Sequence, residues 1–298
     1  MPRSTALRPF LRATHRASTM GTQIAITAAV VGVGAYAWYL RSSSTNRDKP
    51  VFSSFGFHTL RLESAELINH NTKKLRFDLP DKSKPSGLSL TSALLTISFP
   101  NGRWLPVLRP YTPVNDLDEP GYIELMVKLY PGGKQSTHLH SLRPGDTLTF
   151  APIKELAWKP NKHPHVALIA GGAGITPMYQ LARGILNNPA DQTRITLVWG
   201  VNTDEDIFLR DKFAAFERDH PGRFRAVYVV ASPAAGSPHQ KGFITKQILE
   251  GAGLSAREHK NRDVKVLVCG PPAMEKALKK RTGVLAELGY RPDQVYSF

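Results

Sequence analysis

The sequence predicts two domains, an antiparallel β-barrel followed by an α/β Rossmann-like unit, behind an N-terminal transmembrane helix. Three observations predict this. Residues 51–160 carry short alternating apolar runs broken by Pro and Gly. From residue 161 onward the pattern changes to continuous apolar runs, each followed by a turn and a helix-like stretch, as in a parallel sheet covered on both faces. Ahead of both, residues 21–40 hold no charge, and a helix of that length crosses about 30 Å of hydrocarbon.

Residues 1–20 read as a mitochondrial presequence-like arm, because Arg3, Arg8, Arg12 and Arg16 are set among Ser, Thr and Ala with no acid before Asp48. In the predicted span, Tyr36, Trp38 and Tyr39 cluster at the C-terminal end, where aromatic rings favour the water interface. Residues 41–50 form a polar linker. Arg16 precedes the span while Arg41, Arg47 and Lys49 follow it, so flanking charge leaves the orientation open.

The 298 residues carry a formal charge of +15. Residues 1–50 account for +6 of it, so the body is basic as well, at +9. An anionic surface or an acidic protein partner fits this balance. Nucleic acid does not, since the body shows no arginine-rich arm, zinc-finger spacing or RNA-binding aromatic signature. The single cysteine, Cys269, excludes an intrachain disulfide and argues against structural zinc. The ten histidines form no HxxxH or HExxH pair, and no metal site is assigned.

In residues 51–160, strands are expected at 75–79, 95–99, 122–129 and 147–150, the last fed by the turn Arg143-Pro144-Gly145-Asp146. Two segments stand out. Arg109-Pro110-Tyr111-Thr112-Pro113 holds a cation, a ring and a hydroxyl on a backbone stiffened by two prolines, and alternation puts Arg109 and Tyr111 on one face. The stretch from Lys128 to Ser136 runs through Gly132-Gly133 into a helix-like segment, 136–142, and so offers backbone N–H groups to an anion. Taken singly, each also fits an ordinary loop.

In residues 161–298, strands are expected at 166–170, 195–199, 224–230 and 264–268, with helices at 175–186, 207–216 and 272–288. The turn Gly171-Gly172-Ala173-Gly174 after the first of these strands is the place for a dinucleotide phosphate. Its spacing is not GxGxxG, so a tight βα turn is the alternative.

These motifs carry a resemblance. RPYTP resembles the flavin-binding motif of the ferredoxin reductase-like superfamily. KLYPGGKQS, GGAGITPM (beside the usual GGTGITPM) and CGPP resemble the cytochrome b5 reductase family, over about Phe57 to Phe298. With the N-terminal anchor, the pattern is most similar to the mitochondrial, fungal-type branch. The resemblance implies an FAD-binding β-barrel over 51–160 and an NAD(P)H-binding α/β domain over 161–298. It implies that Arg109 and the turn Gly133-Lys134-Gln135-Ser136 hold the FAD pyrophosphate. Pro110, Tyr111, Thr112, Met126 and Lys128 line the flavin, Tyr111 packing on its ring. Gly171, Gly172, Gly174, Thr176 and Pro177 flank the nicotinamide on one side and Cys269, Gly270 and Pro271 on the other, with Ala231 near the adenosine ribose.

The implied chemistry is hydride transfer from NADH to FAD, then single electrons to cytochrome b5 or a similar acidic haem protein. Thr112 stands near the reactive flavin edge, Lys128 stabilises negative charge on reduced flavin, and Cys269 shapes the pocket without acting as a thiolate. The implied location is the mitochondrial outer membrane, single-pass, with a processed intermembrane-space form. Three departures are visible: Ala173 replaces the usual Thr, Phe150-Ala151-Pro152 replaces a pattern with Gly before Pro, and residues 229–232 lack the Asp often found near Ala231. The last leaves NADPH as an alternative donor, with a ferredoxin, flavodoxin or quinone as acceptor. A membrane-tethered adaptor without turnover is the non-enzymatic alternative.

Overall fold

The computed structural model describes residues 49–53, 55–255 and 264–298. The predicted arm (1–20), the predicted transmembrane helix (21–40) and residues 41–48 of the predicted linker lie outside the described residues. Among the described residues no helix is long and apolar enough to cross a membrane. The elements below belong to one compact unit, Pro50–Phe298.

The first sheet holds β1 (His58–Leu67), β2 (Thr72–Asp78), β3 (Ala93–Ser98), β4 (Val107–Tyr111), β5 (Tyr122–Lys128) and β6 (Thr147–Ile153). Their order is β4-β3-β6-β1-β2-β5, with antiparallel neighbours throughout. The alternation read in the sequence is the pleat of this sheet. Leu75, Phe77, Ile123, Leu125 and Phe150 point into one core with Leu62, Leu94 and Leu139. The expected barrel is a curled sheet whose two edges are β4 and β5. Pro110 gives β4 a position without an N–H, which suits an edge strand rather than one paired on both sides. Helix α1 (Lys134–Ser141) packs against β4 and β5.

The second sheet is parallel, in the order β10-β9-β8-β7-β11-β12. It contains β7 (His165–Gly171), β8 (Arg194–Val201), β9 (Phe224–Val230), β10 (Gln240–Lys241), β11 (Val264–Cys269) and β12 (Val295–Ser297). All seven residues of β7 are buried, as its continuous apolar run requires. One face packs on α2 (Ile175–Asn187) and α3 (Arg210–Asp219); the other carries a second cluster with Leu249, Leu278 and Leu285 from α4 (Lys246–Gly251), α5 (Pro272–Lys279) and α6 (Val284–Glu287).

Besides α1, expected at 136–142 and found to start two residues earlier, two helix boundaries differ from the sequence reading. The expected helix at 207–216 begins at Arg210, after a short 3-10 turn, Asp204–Asp206. The expected helix at 272–288 is two, α5 and α6, because the chain leaves helical geometry at Lys280 and Gly283 donates to the Lys280 carbonyl at 2.7 Å. A Cβ on Gly283 would lie 2.7 Å from the Ala277 carbonyl oxygen, so the close turn needs glycine.

Candidate functional site

The parallel sheet reverses its strand order between β7 and β11, and the crevice beyond the carboxyl ends of such strands is where α/β sheets bind ligands. Both glycine turns lie there. Cys269, paired with Ala170, closes β11, and Gly171, one residue further, closes β7. The turns lie back to back: a Cβ on Gly270 would come within 3.1 Å of the Gly171 Cα, and one on Gly174 would collide with the Cys269 carbonyl. Trp199, fully buried on β8, donates its indole N–H to the Gly172 carbonyl at 3.0 Å and fixes the turn from below. Thr176 donates to the Ala173 carbonyl at 3.2 Å. Pro177, in the first turn of α2, is buried. Cys269 is partly buried, and burial first, then the nearby carboxylates Glu275 and Glu155, push its thiol up to about 12. It is therefore neutral over the physiological range and contributes shape.

On the facing sheet, β4 carries Arg109 and Tyr111 two residues apart, so they share a face as expected, with Pro110 between them. Arg109 is exposed and donates to its neighbour's carbonyl, Leu108, at 2.7 Å, leaving further guanidinium donors for an anion. Tyr111 is half-buried; burial, then Tyr130, push its phenol up to about 12, so the ring stays neutral. Thr112 follows, buried.

The turn before α1 is built by its residue types. Tyr130 accepts from the Gly133 N–H at 2.9 Å, with Pro131 and Gly132 between them, and Gly132 has φ +71, where glycine is at ease. No side chain caps α1, so its first N–H groups remain available. Ser136 accepts from the Tyr130 N–H at 3.2 Å and thus braces the turn. Lys134 is exposed. The Gln135 side chain turns away into the sheet, donating to Thr96 at 2.8 Å and accepting from Ser98 at 2.6 Å. Only its backbone can serve the site.

The two halves meet at the end of β5. Met126 packs into the core of the parallel sheet. The Ala173 N–H donates to the Tyr130 hydroxyl at 3.2 Å, which ties the turn before α1 to the glycine turn after β7. The Lys128 ammonium sits 2.8 Å from the Asp206 carboxylate, both nearly inaccessible. Asp206 also accepts from the Asn71 amide at 2.7 Å and the Thr203 N–H at 3.1 Å. Burial alone would raise the Asp206 carboxyl, but the hydrogen bonds from Lys128 and Asn71 prevail and hold it below the ordinary range.

Asp206, Asn71 and Tyr130 were not among the expected site residues. Only the run Thr203-Asp204-Glu205-Asp206, three acids in a basic chain, could have drawn attention to the first. Ala231 lies apart from these residues, just past β9, its N–H on the Val201 carbonyl at 2.9 Å. The nearby Arg210 and His239 lie 2.9 Å apart, and Asp204 accepts from the Ala234 N–H at 2.7 Å.

Comparison with known proteins gives concordant matches. Residues 59–157 match the oxidoreductase FAD-binding domain family and residues 168–280 the oxidoreductase NAD-binding domain family. The chain is 44% identical over 301 residues to NADH-cytochrome b5 reductase 2 of Pyricularia oryzae, covering 94% of this chain and 90% of that one. It is 47% identical to the Aspergillus clavatus protein of the same name, covering 92% and 89%. Among solved structures, the cytochrome b5 reductase domain of Ulva prolifera nitrate reductase superposes with a TM-score of 0.75 at 28% identity, covering 84% of this chain and 100% of that one. A ferredoxin NADP+ reductase from Neisseria gonorrhoeae with bound FAD and NADP shares the fold, with a TM-score of 0.63 at 18% identity, covering 81% and 98%.

Proposed function

Since the chain belongs to the NADH-cytochrome b5 reductase family of FAD- and NAD-binding oxidoreductases, we propose that it carries electrons from NADH to cytochrome b5 or a similar acidic haem protein. FAD, when bound, accepts the two electrons of a nicotinamide hydride together and gives them up singly, which haem iron requires.

The observation that carries this reading is the seam where the turn before α1, the glycine turn after β7 and the turn after β11 converge. The residues fit the two nucleotides. Arg109 has free donors beside an uncapped helix N-terminus, the combination a pyrophosphate favours. A side chain at Gly171, Gly174 or Gly270 would fill the space between the two glycine turns. In the proposed roles, Arg109 and the backbone of Gly133, Lys134, Gln135 and Ser136 hold the FAD pyrophosphate. Pro110, Tyr111 and Met126 would orient the flavin ring, and Thr112 and Thr176 would supply hydroxyls beside it. Gly171, Gly172, Gly174, Pro177, Cys269, Gly270 and Pro271 shape the nicotinamide face and exclude water from it. Lys128 supplies a positive charge at the seam, damped by Asp206.

The test is to purify the full chain, assay its bound flavin, and compare NADH with NADPH in reducing soluble cytochrome b5. A colourless protein that cannot be reconstituted with FAD would end this reading. The missing acid near Ala231 favours NADPH as a second reading, and the same assay distinguishes the two donors. We further propose that residues 21–40 anchor the chain in the mitochondrial outer membrane behind the arm 1–20. Alkaline extraction of isolated mitochondria tests this, since an anchored chain stays with the pellet and a peripheral one is released.

A further inference from the structure

Of the ten large hydrophobic side chains exposed on the described surface, three lie in the connection from β3 to β4, Phe99, Trp104 and Leu105, and a fourth, Leu108, at the start of β4. Trp104 is 89% exposed, the most of any of them. Single exposed apolar residues are ordinary, but a cluster within ten residues is not. The tip contains Asn101 (φ 54) and Gly102 (φ 67), successive left-handed residues that turn the chain tightly.

The rim of this patch is cationic. Arg103 and the Lys134 side chain are exposed, and no acid occurs between Pro85 and Asn115. The patch also borders the proposed flavin site. Arg109 and Tyr111 continue the same strand β4, and α1, with Lys134 in its first turn, packs against β4 and the turn Pro100–Gly102.

We propose that Trp104, flanked by Phe99 and Leu105, is the apolar anchor on which the acidic haem-protein acceptor docks. This rests on the function proposed above. A buried aromatic anchor inside a charged rim is the usual energetic centre of a protein interface. Here the rim charge complements an acidic partner, and the anchor lies beside the strand from which electrons must leave. Anionic lipid is the competing occupant of such a patch, and the experiment separates the two.

The experiment compares full-length wild type with Trp104→Ala, a change at an exposed position. Three quantities are measured: the Kd for soluble cytochrome b5 by isothermal titration, kcat/KM for its reduction with ferricyanide as a small control acceptor, and quenching of Trp104 fluorescence by phosphatidylserine vesicles with brominated acyl chains, read as the difference between wild type and Trp104→Phe. The expected result is a Kd raised about tenfold with kcat/KM falling in parallel. Ferricyanide reduction and flavin content should be unchanged, Trp104 should not be quenched by the brominated lipid, and Trp104→Phe should recover part of the loss of affinity. Unchanged cytochrome affinity overturns the proposal, and quenching of Trp104 in its place would assign the patch to lipid. An equal fall with ferricyanide would show that the change acts on the flavin site. Failure of the wild type itself to bind or reduce cytochrome b5 would instead overturn the function on which the proposal rests.

Discussion

Lys128 and Asp206 form a 2.8 Å ion pair with side chains 7% and 2% exposed, and it joins the last residue of β5 in the antiparallel sheet to the turn after β8 in the parallel one. Neither charge could be buried alone, because the cost of desolvation exceeds any packing gain. The Asn71 amide and the Thr203 N–H complete the carboxylate's hydrogen bonds. The pair thereby couples the hairpin joining β1 to β2, β5 and the parallel sheet into one polar joint.

Removing one partner should therefore cost more than removing both. Asp206→Ala leaves a buried ammonium unpaired and should lower stability by about 3–5 kcal/mol. The double variant Lys128→Met/Asp206→Leu should recover much of this. Thermal melts of the detergent-solubilised full chain measure both, and a double variant no better than the single would show that the pair is not coupled.

The same carboxylate makes stability depend on pH. Its folded pKa lies below the ordinary value, so its contribution is present above about pH 4, the unfolded value, and is lost as pH falls through the folded one. Wild type should lose more stability than Asp206→Asn between about pH 5 and the acid limit. Parallel melting curves for the two proteins over that range would remove Asp206 from the acid transition.

Gly174→Ala tests the contact between the glycine turns. The added Cβ would strike the Cys269 backbone, which cannot swing aside as a flexible side chain can. The turns should separate at a cost of about 1–3 kcal/mol, with KM for NADH rising more than kcat falls. A KM equal to wild type would show that the spacing of the turns does not govern nicotinamide binding.

Arg109→Ala should weaken FAD retention, since loss of a charge-assisted hydrogen bond is worth about 1.5–3 kcal/mol. Flavin content after gel filtration reads this out. Full occupancy in the variant would remove Arg109 from the pyrophosphate site.

Ala231→Asp should raise the preference for NADH over NADPH, because a carboxylate accepts from ribose hydroxyls and repels a 2′-phosphate. The ratio of the two kcat/KM values decides the matter. An unchanged ratio would place Ala231 away from the adenosine ribose.

Much of the fold was legible because its determinants are local and periodic. The run Phe224 to Val230 is β9 with the same ends, and Val166–Ala170 lies within a wholly buried β7, since burial on both faces permits no polar alternation. The break between α5 and α6 was not legible, because Gly283 reveals its need for a close turn only against the Ala277 carbonyl. The open edges of the first sheet were equally hidden: alternation places side chains on a face but does not tell whether the last strand finds a partner.

The candidate site divides in the same way. The motifs containing Arg109, Gly133, Gly171 and Cys269 were legible as local patterns, because turns depend on residue types at short spacing, and their proposed roles came from the family resemblance they carry. Their convergence was not legible. Tyr130 reaches Ala173 across 43 residues, and Lys128 reaches Asp206 across 78. By itself the sequence determined the two successive patterns of strands and helices and the chemistry of each turn. Tertiary structure decided which turns face each other, that Gln135 looks inward, and that the Lys128 charge is matched by a carboxylate, because long-range pairs depend on how the two sheets pack and leave no periodic trace along the chain.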